Sequence, residues 1–73
     1  LERERSRAVR EAVLALPESL RVPVILSRFH GLPHAEIAAV LGCSVTAVKL
    51  RLHRAGGILR KALGGYAKAE GTG

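Results

Sequence analysis

The stretch "EIAAVLGCSVTAVKLRLHR", Glu36–Arg54, decides the fold. Its first half places Ile37, Ala38 and Leu41 on one face of a helix and stops at Gly42, where the chain must reverse and a side chain at positive φ would clash. Ser44 then reads as an N-cap, its hydroxyl placed to accept a hydrogen bond from the backbone N–H of Thr46 or Ala47, and a second helical pattern begins at once. Counting about 100° per residue from Val48, the side chains of Leu52, Ala55, Leu59 and Ala62 return to within about 40° of it and mark the stripe to be buried. Thr46, Lys49, Leu50, His53 and Arg60 fall near the opposite side. A helix-turn-helix needs small residues where its helices cross, a turn residue free of Cβ strain, and apolar anchors on both helices. Ala38, Gly42 and Val48 meet this at offsets of four and six, with Ile37, Leu41, Cys43 and Leu52 completing the interior. A lone AxxxG is common by chance. Its combination with a serine cap, apolar positions in phase and a basic outer strip is far more specific.

Working outward, Val9, Ala12, Val13 and Leu16 define an amphipathic first helix that ends near Pro17, with a charged, fraying start "LERERSR". The segment "ESLRVPVILSRF" predicts a second helix with Leu20, Val24, Ile25 and Phe29 inward. Pro23 costs roughly 3 kcal/mol in a helix interior but little in a first turn, so the expectation is a loose or 3₁₀ start over 17–20 and a regular helix over 22–29. Gly31 reads as a left-handed C-cap. Pro33 suits the first position of the third helix, and Gly56 with Gly57 marks a place where the fourth could bend or end early. These patterns predict an all-α fold: a small four-helix domain over 1–63 that contains a helix-turn-helix, followed by a flexible tail over 64–73 that lacks a burial pattern.

Composition agrees with helices packed by aliphatic side chains. Hydrophobic residues make up 48% of the 73-residue chain, yet Phe29 and Tyr66 are its only aromatics, which disfavours β structure. The net charge of +6 is unevenly placed: residues 37–69 hold Lys49, Arg51, Arg54, Arg60, Lys61 and Lys68 with no acid, whereas six Arg face five Glu in residues 1–36. A one-signed field over one half favours a polyanion. The lone Cys43 allows no internal disulfide, and His30, His34 and His53 lack metal-ligand spacing, so a reduced, cytoplasmic setting without a metal is expected. No apolar run approaches the ~20 residues of a membrane span. With no Asp, no paired acid and base, no phosphate-gripping loop and no nucleophile motif, neither an enzyme nor a cofactor or small-molecule substrate is expected. A first residue of Leu rather than Met leads to the expectation of a piece of a longer protein.

Read as a DNA binder, the fourth helix would enter the major groove with its N-terminal half nearest the bases. Lys49 has the reach for guanine O6 or N7 or for a phosphate, Thr46 for a base edge or a thymine methyl, and Leu50 for thymine methyls. His53 is open between a base, a phosphate and plain solvent exposure. Arg54 and Arg60 lie on different sides of the helix and suit phosphates, as does the anion site at Ser44 to Thr46, whose backbone N–H groups lack helical partners. Arg51 borders the inner face and is a candidate partner for Glu36.

The residues "LPESLRVPVILSRFHGLPHAEIAAVLGCSVTAVKLRLHRA", Leu16–Ala55, resemble region 4 of the sigma-70 superfamily, in its extracytoplasmic-function (ECF) class. Family members look like LPxxxRxPxxLRxxxGLSxxEIAxxLGxSxxTVKSRLHRAR, with approach helix, turn and recognition helix in phase. The resemblance implies binding to the upstream, minus-35 element of double-stranded promoter DNA while attached to the flap of core RNA polymerase, with an anti-sigma factor as a further partner. By position, the family's base-reading and phosphate-contacting places fall on Thr46, Lys49, Leu50, His53 and Arg54. Leu50 replaces the usual serine, and Gly56 with Gly57 replaces the usual Arg-Glu after "LHRA". The region that melts the promoter in such factors is absent from this sequence. Two alternatives remain at this stage: a LuxR-like output domain, which shares the four-helix layout, and a module that acts chiefly by binding a regulatory protein.

Overall fold

The computed structural model describes residues 2–64, and over these the chain is helical, with α1 at Glu2–Leu14, α2 at Glu18–Val24, α3 at His34–Leu41 and α4 at Val45–Ala62. Apart from Gly64, the tail expected over 64–73 lies outside the described residues.

The first helix buries Val13 and packs Val9 beside it as its spacing requires, but it stops at Leu14, so Leu16 joins the same core from the turn that follows. Its last turn has no basic residue of its own. Arg21 of α2 supplies one: its Nη1 donates a hydrogen bond to the Leu14 carbonyl at 3.3 Å, placing a cation where the α1 dipole is negative.

The second helix departs from expectation in two ways. It is regular from Glu18, because the Pro17 carbonyl already accepts from the Arg21 N–H at 2.8 Å in α-helical spacing as well as from the Leu20 N–H at 2.9 Å. Pro23 therefore lies inside the helix, buried, where it can give no hydrogen bond to the Ser19 carbonyl. The ladder loosens just beyond it. The Ile25 N–H is shared between the carbonyls of Arg21 and Val22, and residues Ile25–Phe29 form a π-helical segment in which the His30 N–H donates to the Ile25 carbonyl at 3.2 Å. The wider turn moves Phe29 off the inner stripe, so this expected core residue is 53% exposed.

Gly31 adopts the left-handed conformation, φ 67°, and lets Leu32 fold back, its N–H donating to the Leu26 carbonyl. Pro33 is the N-cap residue of α3 rather than its first helical residue, with extended backbone and a carbonyl that accepts from the N–H groups of Glu36 and Ile37. Gly42 ends α3 at φ 69°, ψ 37°, and the Cys43 N–H returns to the Ala38 carbonyl at 3.0 Å, closing a Schellman-type turn. Two residues later the Ser44 hydroxyl accepts from the Ala47 N–H at 3.0 Å. Ser44→Ala is expected to cost about 1 kcal/mol, or roughly 4–8 °C in Tm for a domain of this size. A thermal melt unchanged by the substitution would show that this cap carries no weight.

Two small cores share α4 as their common wall. Val13, Leu16, Val24 and Ala55 form one, with Val9, Leu20, Ile25, Leu52 and Leu59 against it. Ile37, Ala38 and Val48 form the other, with Leu26, Leu32, Leu41, Cys43 and Leu52 against it. Leu52 belongs to both, and the π-helical segment sends Ile25 to the first and Leu26 to the second. The helix α4 does not end at its glycine pair but runs on to Ala62, because both cores clamp it and Ala55 is fully buried beside that pair. Ala62, expected on the inner stripe, is exposed: the last turn of α4 has outrun both cores.

Candidate nucleic-acid interface

The faces of α4 divide cleanly. Val48 and Ala55 are inaccessible to solvent, whereas Thr46, Lys49, Leu50, His53, Arg54 and Arg60 are all exposed, as is Ser44 at the cap. Leu50 shows 47% of its surface to water, beside two cations and a histidine on a helix that contains no acid. At about 1.5 Å rise per residue, Thr46 to His53 spans about 10 Å of helix axis, a length that fits a major groove about 12 Å wide.

The structure brings Thr46, Lys49, Leu50, His53 and Arg54 onto the first three turns of α4, next to the Ser44 cap. Arg60 stands apart. It lies about 10 Å further along the axis than His53, with its side chain folded back so that Nη1 is 3.6 Å from where a Cβ on Gly56 would stand. The expected pairing of Arg51 is not formed: Arg51 is half-buried and makes no ion pair with Glu36. Lys61, exposed in the last turn, joins the strip although the sequence reading does not single it out; its phase, between Leu50 and Arg54 around the wheel, was the available signal.

Among the described residues, no group of three His, Cys, Asp or Glu side chains stands close enough to hold a metal ion, and no helix is long and apolar enough to cross a membrane. Cys43 is half-buried at the turn and packs as a small apolar side chain in the second core. Away from the strip, Leu14, Phe29, Val40 and Ile58 expose apolar surface on four separate segments.

A tight glycine turn, a serine cap and an acid-free, cation-bearing outer face on the second helix define the helix-turn-helix class of nucleic-acid-binding domains. Residues 6–55 match the family model described as sigma-70, region 4, and the chain belongs to that family. It is 40% identical over 55 residues to the RNA polymerase sigma-H factor of Pseudomonas aeruginosa, an overlap of 75% of this chain and 28% of that protein. It is 38% identical over 55 residues to the ECF RNA polymerase sigma-E factors of Escherichia coli K12 and Salmonella typhimurium LT2, covering 29% of each. The chain thus spans under a third of the length of these relatives. The family match stops at Ala55, immediately before Gly56 and Gly57.

Proposed function

We propose that this chain is the promoter-reading region 4 of an ECF sigma factor, which places α4 in the major groove of the minus-35 element during transcription initiation by RNA polymerase. The observation that carries the reading is the exposed strip Thr46, Lys49, Leu50 and His53, held outward by the fully buried Val48 on a family-matched helix-turn-helix. Membership of a family of transcription factors, not of enzymes, agrees with it, as do relatives named as RNA polymerase sigma factors. In this reading Lys49 and Thr46 meet base edges and Leu50 meets thymine methyls. Arg54, Arg60 and the Ser44 cap meet phosphates, and His53 lies between the two sets. Residues 1–63 form the domain, which works in the cytoplasm. The exposed Leu14, Phe29, Val40 and Ile58 are left for protein contacts, with the flap of core polymerase and an anti-sigma factor as the occupants the family suggests.

Fluorescence anisotropy with promoter and scrambled duplexes at several salt concentrations tests the assignment. Lys49→Ala is expected to remove about 1–3 kcal/mol of discrimination between the two duplexes. Arg54→Ala is expected to weaken both alike and to flatten the salt slope by about one. Equal losses from the two variants on both duplexes would reject the roles given to them.

A further inference from the structure

Gly57 occupies a position that neither its own core packing nor the family match accounts for. It is exposed, and a Cβ built on it would meet nothing within 4 Å. The helix runs on through it to Ala62, so it does not serve as a terminus. Glycine in a helix interior costs stability relative to alanine and has no steric reason here to be glycine. Counted around the wheel, it lies on the side of α4 opposite Val48, in the middle of the exposed strip.

Its neighbours on that strip are cations. Arg54 and His53 precede it by one turn, and Lys61 follows it by one turn; all three are exposed, and their side chains form no hydrogen bond or ion pair among the described residues. Helical side chains lean toward the N-terminus, which gives Lys61 the reach to close on a group bound at Gly57; Arg60 already folds back over Gly56, whereas no side chain comes within 4 Å of a Cβ built on Gly57. The two glycines therefore differ: Gly56 is half-buried under Arg60 and lines a groove with Val24, Leu52 and Leu59, whereas Gly57 is open ground with positive charge at both ends.

We infer that Gly57 is the floor of a phosphate seat, on which a DNA backbone phosphate lies against the bare helix between Arg54 and Lys61 as α4 leaves the major groove. Without a Cβ the phosphate approaches closely enough for both cations to contact it; a methyl group at this point holds it off. This seat rests on the promoter-binding reading and adds to it a contact beyond the span matched by the family.

The test sets stability against binding in the 73-residue chain. Gly57→Ala is expected to raise Tm by up to about 4–8 °C, since alanine favours the helix, while weakening promoter and scrambled duplexes alike by about tenfold and lowering the salt slope by about one. Gly56→Ala is expected to raise Tm with no loss of duplex affinity, because its Cβ makes only an ordinary contact with Arg60. Lys61→Ala is expected to weaken binding as Gly57→Ala does, and the double variant is expected to be little worse than either single one, since both break the same contact. If Gly57→Ala binds as tightly as the parent while Lys49→Ala still loses discrimination, the seat is wrong and the promoter reading stands. If the parent chain shows no salt-dependent affinity for any duplex, both fall.

Discussion

Ile37→Ala is expected to remove about 2–5 kcal/mol of folding stability. Ile37 is completely buried and is the largest member of the core that joins α3 to α4, where Ala38 and Val48 touch it and Leu26, Leu32, Leu41, Cys43 and Leu52 close around it. A domain of this size buries only about 60% of its unfolded surface and is stable by roughly 0.05–0.15 kcal/mol per residue, so the loss takes away a large fraction of the whole. The cavity also cannot be filled cheaply, since the turn at Gly42 and the cap at Ser44 fix the separation of the two helices. Urea unfolding followed by circular dichroism reads the effect; Ile37→Val, which deletes one methyl group's worth of volume, should cost only about 0.5–1.5 kcal/mol. Equal stabilities for the parent and Ile37→Ala would mean that this core does not hold the helix-turn-helix together.

Gly42→Val should cost about 2 kcal/mol by a different route. At φ 69°, ψ 37° the residue sits in the left-handed region, which opposes an ordinary side chain by about 1–2 kcal/mol and a β-branched one by more. A Cβ there would meet no atom within 4 Å, so the cost is conformational and owes nothing to crowding. Asparagine tolerates this backbone, and Gly42→Asn should keep most of the stability that Gly42→Val loses. Melting the two variants side by side separates the causes: similar losses would point to a steric cause that the geometry does not contain. Because this turn sets the angle of α4 against α3, duplex affinity should fall with Gly42→Val and largely survive Gly42→Asn.

The parts of this fold that were legible in the sequence are those governed by local rules. Gly42 had to be left-handed, Ser44 had a donor three residues on, and the inner faces of α3 and α4 followed from a period of 3.6. The second helix was less legible because its geometry depends on tertiary packing. Pro23 looked tolerable only near a helix start, yet the packing of Leu20 and Val24 carries the helix back to Glu18, and the disturbance appears downstream as a π turn that exposes Phe29. Helix propensity suggested an early end at the Gly56–Gly57 pair that does not occur, since burial of Ala55 and the packing of Leu59 against the first core outweigh what two glycines lose. Exposure of the site residues was readable from phase, but the separation of Arg60 from the rest, the unpaired Arg51 and the openness of Gly57 needed coordinates.

Promoter recognition as proposed here requires a duplex to lie on the outer face of α4. The most direct measurement is an NMR titration of the isotopically labelled chain with a promoter duplex, following the backbone amides. The largest shifts are expected over Ser44–Arg54, continuing at Gly57 and Lys61, with the amides of α1 little moved. Shifts centred on α1 or around Phe29 and Val40, with Ser44–Arg54 unmoved, would contradict it.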